Sequence, residues 1–530
     1  MSAPFKVCIT AAGRGTRLKA AAGTNKALAP VAHRAVLSRI LDSFPREAEV
    51  VIALGHEAQQ IRDFLDVTVR GRRFVFVDVH GYDGPGSGPG ASLLQCRPHL
   101  DCPFVLVACD TLIDGDVPAP DVNWIGVAPV QDSAPFLIAD VSQGQVRGFF
   151  DKCAAHSLPA GVAAPYSAFI GLAGIRDHEA FWEGLDRDAR LVAGERQVAA
   201  GLEALMERGL TARAFTWHDT GTDEGLRAAD AHYGVSGWLL KPDETLYFEG
   251  GRVVKYFADA SRARKRAERA LLLRDVVPPH AEARGHFLAY DYVPGSVMSE
   301  SLDDQAFCRF VTRAAETVWK PLVLSAGDAG AFAEASDRFY RVKTQARVAS
   351  FLERYPQWSG PAVVNGVPVP AVSEALAAVD WPALASGVPV RFHGDPQPEN
   401  ILLADSGDVV MLDWREDFGG LSFGDLYYDL AKVHHALIVS GEIVRGGHFG
   451  VEVEGDRVEV RILLREHLIR FLKVFEHEVV RAGWDLGRTR LVSALTYLNI
   501  APLHHDPYDR FLYFFGRQLL QLHVAGRWPY

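Results

Sequence analysis

The chain has 530 residues, 48% of them hydrophobic and 23% charged, a balance that fits packed cores and excludes a disordered or fibrous protein. At about 150 residues per domain the length implies two to four domains. The net charge of −11, from 55 Lys+Arg against 66 Asp+Glu, excludes a surface built mainly for the nucleic-acid backbone, but local amides and cations can still hold small anions. In chain order, residues 5–10, 49–54, 74–79 and 104–109 predict strands, with helices over 36–44 and 58–65 between them. This is the pattern of an α/β domain with a largely parallel sheet. The texture changes near 231–237, after which 246–248 and 253–257 predict an antiparallel hairpin around Gly250-Gly251. Residues 261–274 predict a basic helix whose run Arg262 to Arg266 reads as a solvated face, and the last third is mostly helical, as over 463–480. Six cysteines without a CxxC pair read as buried thiols of a reducing compartment. With no signal-peptide order and no apolar run of about 18 residues, the expectation is a cytoplasmic protein without membrane insertion.

The first predicted strand leads directly into Ala11-Ala12-Gly13-Arg14-Gly15-Thr16-Arg17. Glycines in such a turn let backbone N–H groups approach a phosphate closely. Lys26 follows as a cation, and Asp110 and Asp219 each end an apolar run, where a carboxylate is costly unless it meets water, a metal or a cation. Together these segments resemble the nucleotidyltransferases that activate sugar phosphates and phosphocholine, over about residues 5–230. The resemblance implies a nucleotide triphosphate held by Ala12, Gly13, Gly15, Thr16 and Arg17, with Lys26 on phosphate and Mg²⁺ on Asp110 and Asp219. It also implies base and ribose contacts from the small-residue loop at Gly88 and Gly90, and an acceptor phosphate at Lys152. Asn25 stands where this family often has proline, and the Trp-x-Asp-x-Gly-Thr form around Asp219 leans towards the sugar-phosphate branch.

The strongest local signal is His393-Gly394-Asp395-Pro396-Gln397-Pro398-Glu399-Asn400, followed by an apolar run ending at Asp413. This is the H-x-D-x-x-x-x-N spacing of a kinase catalytic loop. Asp395 can accept the proton of a hydroxyl, and Asn400 and Asp413 can supply oxygen ligands for Mg²⁺ on ATP. Residues 238–530 resemble the aminoglycoside phosphotransferase and choline kinase family. The resemblance implies a strand lysine at Lys255, a helix glutamate pairing with it, for which Glu268 is the best candidate and Glu244 and Glu249 are less suitably placed, and an adenine-contacting hinge strand with Tyr290 and Tyr292. No G-x-G-x-x-G precedes Lys255, so the phosphate loop is expected elsewhere, around 241–244. Trp414-Arg415 after Asp413 argues for a small acceptor.

The expected architecture is therefore a Rossmann-like nucleotidyltransferase domain with a mixed, mainly parallel sheet over 1–235, and a two-lobed α+β protein-kinase-like phosphotransferase domain over 236–530. The expected chemistry is ATP-dependent phosphorylation of a small sugar or alcohol, then transfer of a nucleoside monophosphate from a second NTP with release of pyrophosphate. Mg²⁺ serves both sites, and the product is an NDP-sugar-type precursor for surface polysaccharide. The alternative is a choline or amino-alcohol kinase joined to a CTP-dependent cytidylyltransferase. Partners are small molecules, not nucleic acid, and a homo-oligomer is compatible with the sequence.

Overall fold

The computed structural model describes residues 5–18, 23–159, 161–234 and 243–530. Two compact units form: Met1–Ala263 with Ala283–Ala289, and Arg264–Glu282 with Tyr290–Tyr530. The domain boundary expected at 235/236 and the first part of the 241–244 loop lie outside the described residues.

In the first unit, a nine-stranded mixed sheet runs in the order Phe74–Asp78, Val50–Leu54, Lys6–Ala11, Phe104–Ala108, Tyr166–Ile175, Trp124–Val130, Thr211–Ala214, Gln145–Asp151, Leu137–Ser142. The first four strands are parallel, and Tyr166–Ile175 is antiparallel to both of its neighbours. Alternation along Lys6–Ala11 sends Val7, Ile9 and Ala11 into one core and Cys8 into the other, so both faces of the sheet are covered. Helices Val36–Asp42 and Ala58–Thr68 cover the first face. Pro89–Cys96, His178–Arg187 and Ala199–Met206 cover the second. The strand ends of the parallel half thus open into the loops that carry the expected site residues.

The hairpin Glu244–Glu249 and Arg252–Phe257 turns at Gly250 and Gly251, both at positive φ, as a tight hairpin turn requires. Tyr247, Val254, Tyr256 and Phe287 belong to the same core as Val36 and Phe64. Their polar ends are satisfied by that core's own backbone. Tyr247 donates its hydroxyl to the Leu28 carbonyl at 2.8 Å, and Tyr256 donates to Gly23 at 3.0 Å. Glu249 accepts from the Ala35 amide at 3.0 Å and pairs with Arg34.

The second unit is mainly helical, with Asp304–Glu316, Leu426–Ile438, Glu466–Arg481, Leu486–Ile500 and Tyr508–Val524 among its longer helices. A three-stranded sheet of Gly295–Val297, Ile401–Ala404 and Val409–Met411 flanks residues 393–400. In the basic helix Ala260–Leu272, Arg264 and Lys265 are exposed as a solvated face requires, whereas Arg266 departs from that expectation. Arg266 is buried against Asp413 and Glu416, and buried Arg269 donates to the carbonyls of Arg391, Phe392 and Ser422. Residues three apart share a helix face, so Arg266 and Arg269 turn inward together, where acceptors meet them. All six cysteines are free; Cys8, Cys96 and Cys109 are buried, whereas Cys308 is exposed and so departs from the expected buried set. Among the described residues no helix is long and apolar enough to cross a membrane.

Candidate active sites

In the first unit, strand Lys6–Ala11 runs into a loop whose Gly15 has φ +64°. A Cβ there would lie 3.0 Å from Lys26 Cβ, so the absence of a side chain lets the loop rest on the lysine stem. Lys26 begins a 3₁₀ turn capped by Asn25, and its ammonium lies 2.7 Å from Asp110 Oδ2. Asp219 ends strand Trp217–Asp219, which pairs antiparallel with Thr111–Ile113 so that Asp219 faces Thr111 beside Asp110. Thr220 fixes the junction, donating both its amide and its hydroxyl to the Asp110 carbonyl at 3.0 Å. A Cβ on Gly221 would meet Asp219 Oδ1 at 3.0 Å and Asp110 Oδ2 at 3.1 Å, so the two carboxylates border one small cradle.

Electrostatics separate the pair. Burial works to raise the Asp110 carboxyl, but Lys26 and Arg17 outweigh it and hold the group below its ordinary range. Burial, with repulsion from Asp110, leaves Asp219 above its ordinary range despite the Gly221 amide, Arg17 and Lys26. Burial likewise opposes the Lys26 charge, and Asp110 restores it and raises the group overall. Two oxygens around a cradle, with one carboxylate resisting ionisation for want of positive charge, fit a divalent cation such as Mg²⁺.

The loop before Pro89–Cys96 carries Gly88 at φ +115°, where a Cβ would lie 2.7 Å from the Arg196 carbonyl. Gly90 donates its amide to that carbonyl at 2.9 Å. Lys152, itself at positive φ, reaches Glu195 at 3.4 Å, next to the residues that clamp Gly88. Lys152 and the Gly88 loop are thereby tied to the same 194–197 segment.

Lys255 also belongs to the first unit, with its ammonium 3.7 Å from Glu244, the residue two strand positions from its register partner Leu246. The expected partner, Glu268, lies instead on the solvent side of its helix, 65% exposed and 3.9 Å from Arg264 one turn away. Helix Ala260–Leu272 turns Arg266 and Arg269 inward, and that rotation carries Glu268 out.

In the second unit, His393 to Asn400 lie between strand Pro389–Val390 and strand Ile401–Ala404. Asn400 donates through Nδ2 to the Asp395 carbonyl at 2.9 Å and to its carboxylate at 3.3 Å, which leaves its amide oxygen for a cation. Asp413 follows strand Val409–Met411 at φ +55°, a left-handed conformation that costs a non-glycine residue about 1–2 kcal/mol and marks a functional constraint. Its carboxylate pairs with Arg266. Lys432 lies 2.8 Å from Asp395 Oδ1; burial raises Asp395, but Lys432 more than offsets this and keeps the carboxylate below its ordinary range. His393 is buried, accepts the Asp395 amide at Nδ1 (3.3 Å), and is pulled by burial down to about 4, so it is neutral and positions the loop. Asp429 anchors the same loop, accepting from the amides of His393 at 2.7 Å and Gly394 at 2.6 Å. Tyr290 is buried, with its ring 5.6 Å from Trp414, and Tyr292 is exposed.

Residues 7–119 match the MobA-like NTP transferase domain family, and residues 251–449 match the phosphotransferase enzyme family. The chain joins a nucleotidyltransferase to a phosphotransferase. Among solved structures it is similar to a UDP-glucose pyrophosphorylase complexed with UDP-glucose (17% identity, 44% of this chain and 98% of that one, TM-score 0.38). It is also similar to a putative glucose-1-phosphate thymidylyltransferase from Bacillus anthracis (19%, 44% and 98%, 0.36) and to the CTP:phosphocholine cytidylyltransferase from Streptococcus pneumoniae (14%, 43% and 99%, 0.34). No curated protein sequence matches the chain.

The nucleotidyltransferase owes its loop geometry to Asn25, which sequence reading noted only as a departure. Its side chain donates to the carbonyls of Ala11 (3.2 Å) and His56 (2.7 Å) and accepts the Ala27 amide (2.9 Å). Proline could make none of these bonds, so the end of the first strand and the Lys26 turn are joined here by an amide. The phosphotransferase yields three further residues, Arg266, Lys432 and Asp429, of which Arg266 lay in the basic run that the sequence presents as a solvated face.

Proposed function

We propose that the enzyme phosphorylates the hydroxyl of a small sugar or alcohol with ATP and then transfers a nucleoside monophosphate from a second NTP to that phosphate, releasing pyrophosphate. The product is an NDP-linked precursor of the kind consumed in surface polysaccharide assembly. The observation that carries this reading is the presence, on one chain, of two carboxylate sites each already matched to its own cations: Asp110 and Asp219 with Lys26 and Arg17, and Asp395 and Asp413 with Lys432 and Arg266. The product class of the second site is the substrate class of the first.

In the phosphotransferase, Asp395 is held ionised by Lys432 and accepts the acceptor's hydroxyl proton as its oxygen attacks the γ-phosphorus. Asn400 and Asp413 would hold Mg²⁺ on the ATP phosphates. In the nucleotidyltransferase, the Gly13 to Arg17 loop and Lys26 would receive the triphosphate, and Lys152 the acceptor phosphate. Asp110 and Asp219 would hold Mg²⁺, which when bound neutralises the repulsion between two phosphate groups. No protein nucleophile is required, and the chain's task is to bring two anions together.

The test is ADP and pyrophosphate release by the full chain with ATP, the four other NTPs and an acceptor panel. Asp395→Ala should lose at least about 10³-fold in ADP release yet retain pyrophosphate release from a supplied phosphorylated acceptor, and Asp110→Ala should do the reverse. Neither product in the wild type, or both activities lost in each variant, contradicts the proposal.

A further inference from the structure

The phosphotransferase unit has more positive charge beside Asp395 than its expected metal carboxylates use. Lys432 serves Asp395 and Arg266 serves Asp413. Two further cations, Lys343 and Arg415, converge on one aromatic ring: Lys343 Nζ lies 4.0 Å and Arg415 Cζ 5.4 Å from the centre of Phe339. Among the described residues neither has a carboxylate within the 4.0 Å reach of an ion pair, and Arg415 Nε is buried without a hydrogen-bond partner. Tyr428 closes the group, its ring 4.7 Å from Phe339 and 5.8 Å from the Lys343 ammonium.

The backbone holds these groups in place. Phe339 lies in the π-helical turn Arg338–Val342, directly before helix Lys343–Arg354, and such turns recur at functional sites. Arg415 lies over Gly394, where a Cβ would meet its side-chain carbons at 2.7 Å, so the guanidinium stem packs on the catalytic loop itself. The field of these cations acts on their neighbours. Burial would raise the Tyr428 hydroxyl, yet Lys343, Arg415 and Lys432 pull it below its ordinary range. Burial lowers the Lys343 ammonium, and repulsion from Arg415, Lys432 and Arg347 adds to the effect.

Lys343 and Arg415 are half-buried; Tyr428, Glu416 and Asp395 favour the Arg415 charge from a distance, but no carboxylate pairs with either cation, so both can meet an anionic ligand directly. We infer that the phosphoryl acceptor is an anionic hydroxy compound, with a carboxylate or phosphate group bound by Lys343 and Arg415 while its hydroxyl faces Asp395. This rests on the proposed kinase reading and narrows its substrate class. The reaction is balanced as follows: the acceptor oxygen bonds to the γ-phosphorus, the bond from that phosphorus to the β-bridging oxygen breaks, ADP leaves, and the hydroxyl proton passes to Asp395. A quaternary ammonium is disfavoured, because the Phe339 and Tyr428 rings that would box it already face Lys343, and Phe339 faces Arg415 as well.

The full chain, with ATP and Mg²⁺, is offered four acceptor classes: neutral sugars and polyols, hydroxy acids and uronic acids, phosphorylated polyols, and choline. ADP release should be highest with the second or third class, and the difference between those two tells carboxylate from phosphate. Lys343→Gln and Arg415→Gln should each raise KM for the anionic acceptor by at least about ten-fold while KM for ATP stays within about two-fold. Best turnover with a neutral sugar or choline overturns the inference but leaves the kinase reading intact. A rise in KM for ATP instead of the acceptor also overturns it, since the two cations would then serve the nucleotide. ADP release in no arm overturns both.

Discussion

Replacing Asp429 tests whether the catalytic loop of the phosphotransferase is held by a buried carboxylate. Asp429 is fully buried in helix Leu426–Ile438; Oδ2 accepts from the His393 amide at 2.7 Å and from Trp319 Nε1 at 3.1 Å, and Oδ1 accepts from the Gly394 amide at 2.6 Å. The two amides immediately precede Asp395. Alanine would strand three buried donors at about 1–3 kcal/mol each, or about 3–9 kcal/mol in total. Against a domain stability of about 5–15 kcal/mol, that variant reports on folding alone. Asparagine keeps one oxygen, best spent on His393 and Trp319, and turns its NH₂ towards the Gly394 N–H. The loss is one hydrogen bond to a carboxyl that burial pushes up to about 7, which leaves the Gly394 donor unsatisfied at about 1–3 kcal/mol. Released at Gly394, the loop no longer fixes Asp395, and a displacement approaching 1 Å lowers kcat by about 10²-fold. Urea unfolding gives the stability term, and ADP release as a function of ATP gives the kinetic one, where KM for ATP should hardly move. An Asp429→Asn enzyme within about 0.5 kcal/mol and two-fold in kcat of the wild type refutes the anchoring role.

Four further outcomes follow from the same geometry. Lys26→Met leaves Asp110 buried without its ammonium, so pyrophosphate release should fall by at least about 10²-fold and the first unit should lose about 3–5 kcal/mol in denaturant unfolding. Gly15→Ala forces an L-residue to φ +64° with its Cβ against Lys26; a cost of about 1–2 kcal/mol and a raised KM for the NTP are expected, with ADP release unchanged. Asn25→Ala removes three hydrogen bonds in a buried position and should cost about 2–4 kcal/mol by thermal or urea unfolding. Asp425 is pushed by burial up to about 6 from 3.8 despite the Tyr340 hydroxyl and the Val388 amide. The folded group therefore binds its proton more tightly, a stabilisation complete below about pH 4 and lost as pH rises through 6. The stability difference between wild type and Asp425→Asn should shift against the wild type by on the order of 3 kcal/mol between pH 4 and pH 8, and a pH-independent difference would contradict it.

The fold was legible wherever hydrophobic period and turn chemistry agreed. Residues 50–54 are a five-residue apolar run and form a strand buried along its whole length, and Gly250-Gly251 mark the hairpin turn. The acidic residues of both sites were legible because a carboxylate closing an apolar run is unusual enough to be noticed. Their cations were harder to find. Lys26 follows its loop closely in sequence, but Arg266 and Lys432 reach Asp413 and Asp395 across 147 and 37 positions, shown by subtracting residue numbers. No local pattern encodes such pairings. Glu268 was misassigned for a related reason: the resemblance implied a glutamate on the following helix and ranked Glu244 below it, but the helix's rotation, which buried Arg266 and Arg269 decide, is not written in the sequence.

The first unit also shows why the phosphate-binding elements do not divide along the two halves of the sequence. Lys26 and Lys255, expected to meet phosphates in different reactions, stand on one core. The hairpin that carries Lys255 sends Tyr256 to the Gly23 carbonyl and Tyr247 to the Leu28 carbonyl, on either side of the turn that carries Lys26. Each hydroxyl satisfies a backbone oxygen that would otherwise need another partner, and Tyr247 is itself fully buried among Phe64 and its neighbours. A chain ended after residue 235 would lose Tyr247, Val254, Tyr256 and Phe287 from this core together, exposing the apolar surface beneath them. The first unit therefore depends for its stability on strands that follow residue 235, one of which carries Lys255. On this geometry, loosening the hairpin disturbs the Lys26 turn first, through two specific carbonyls and not through a general loss of packing.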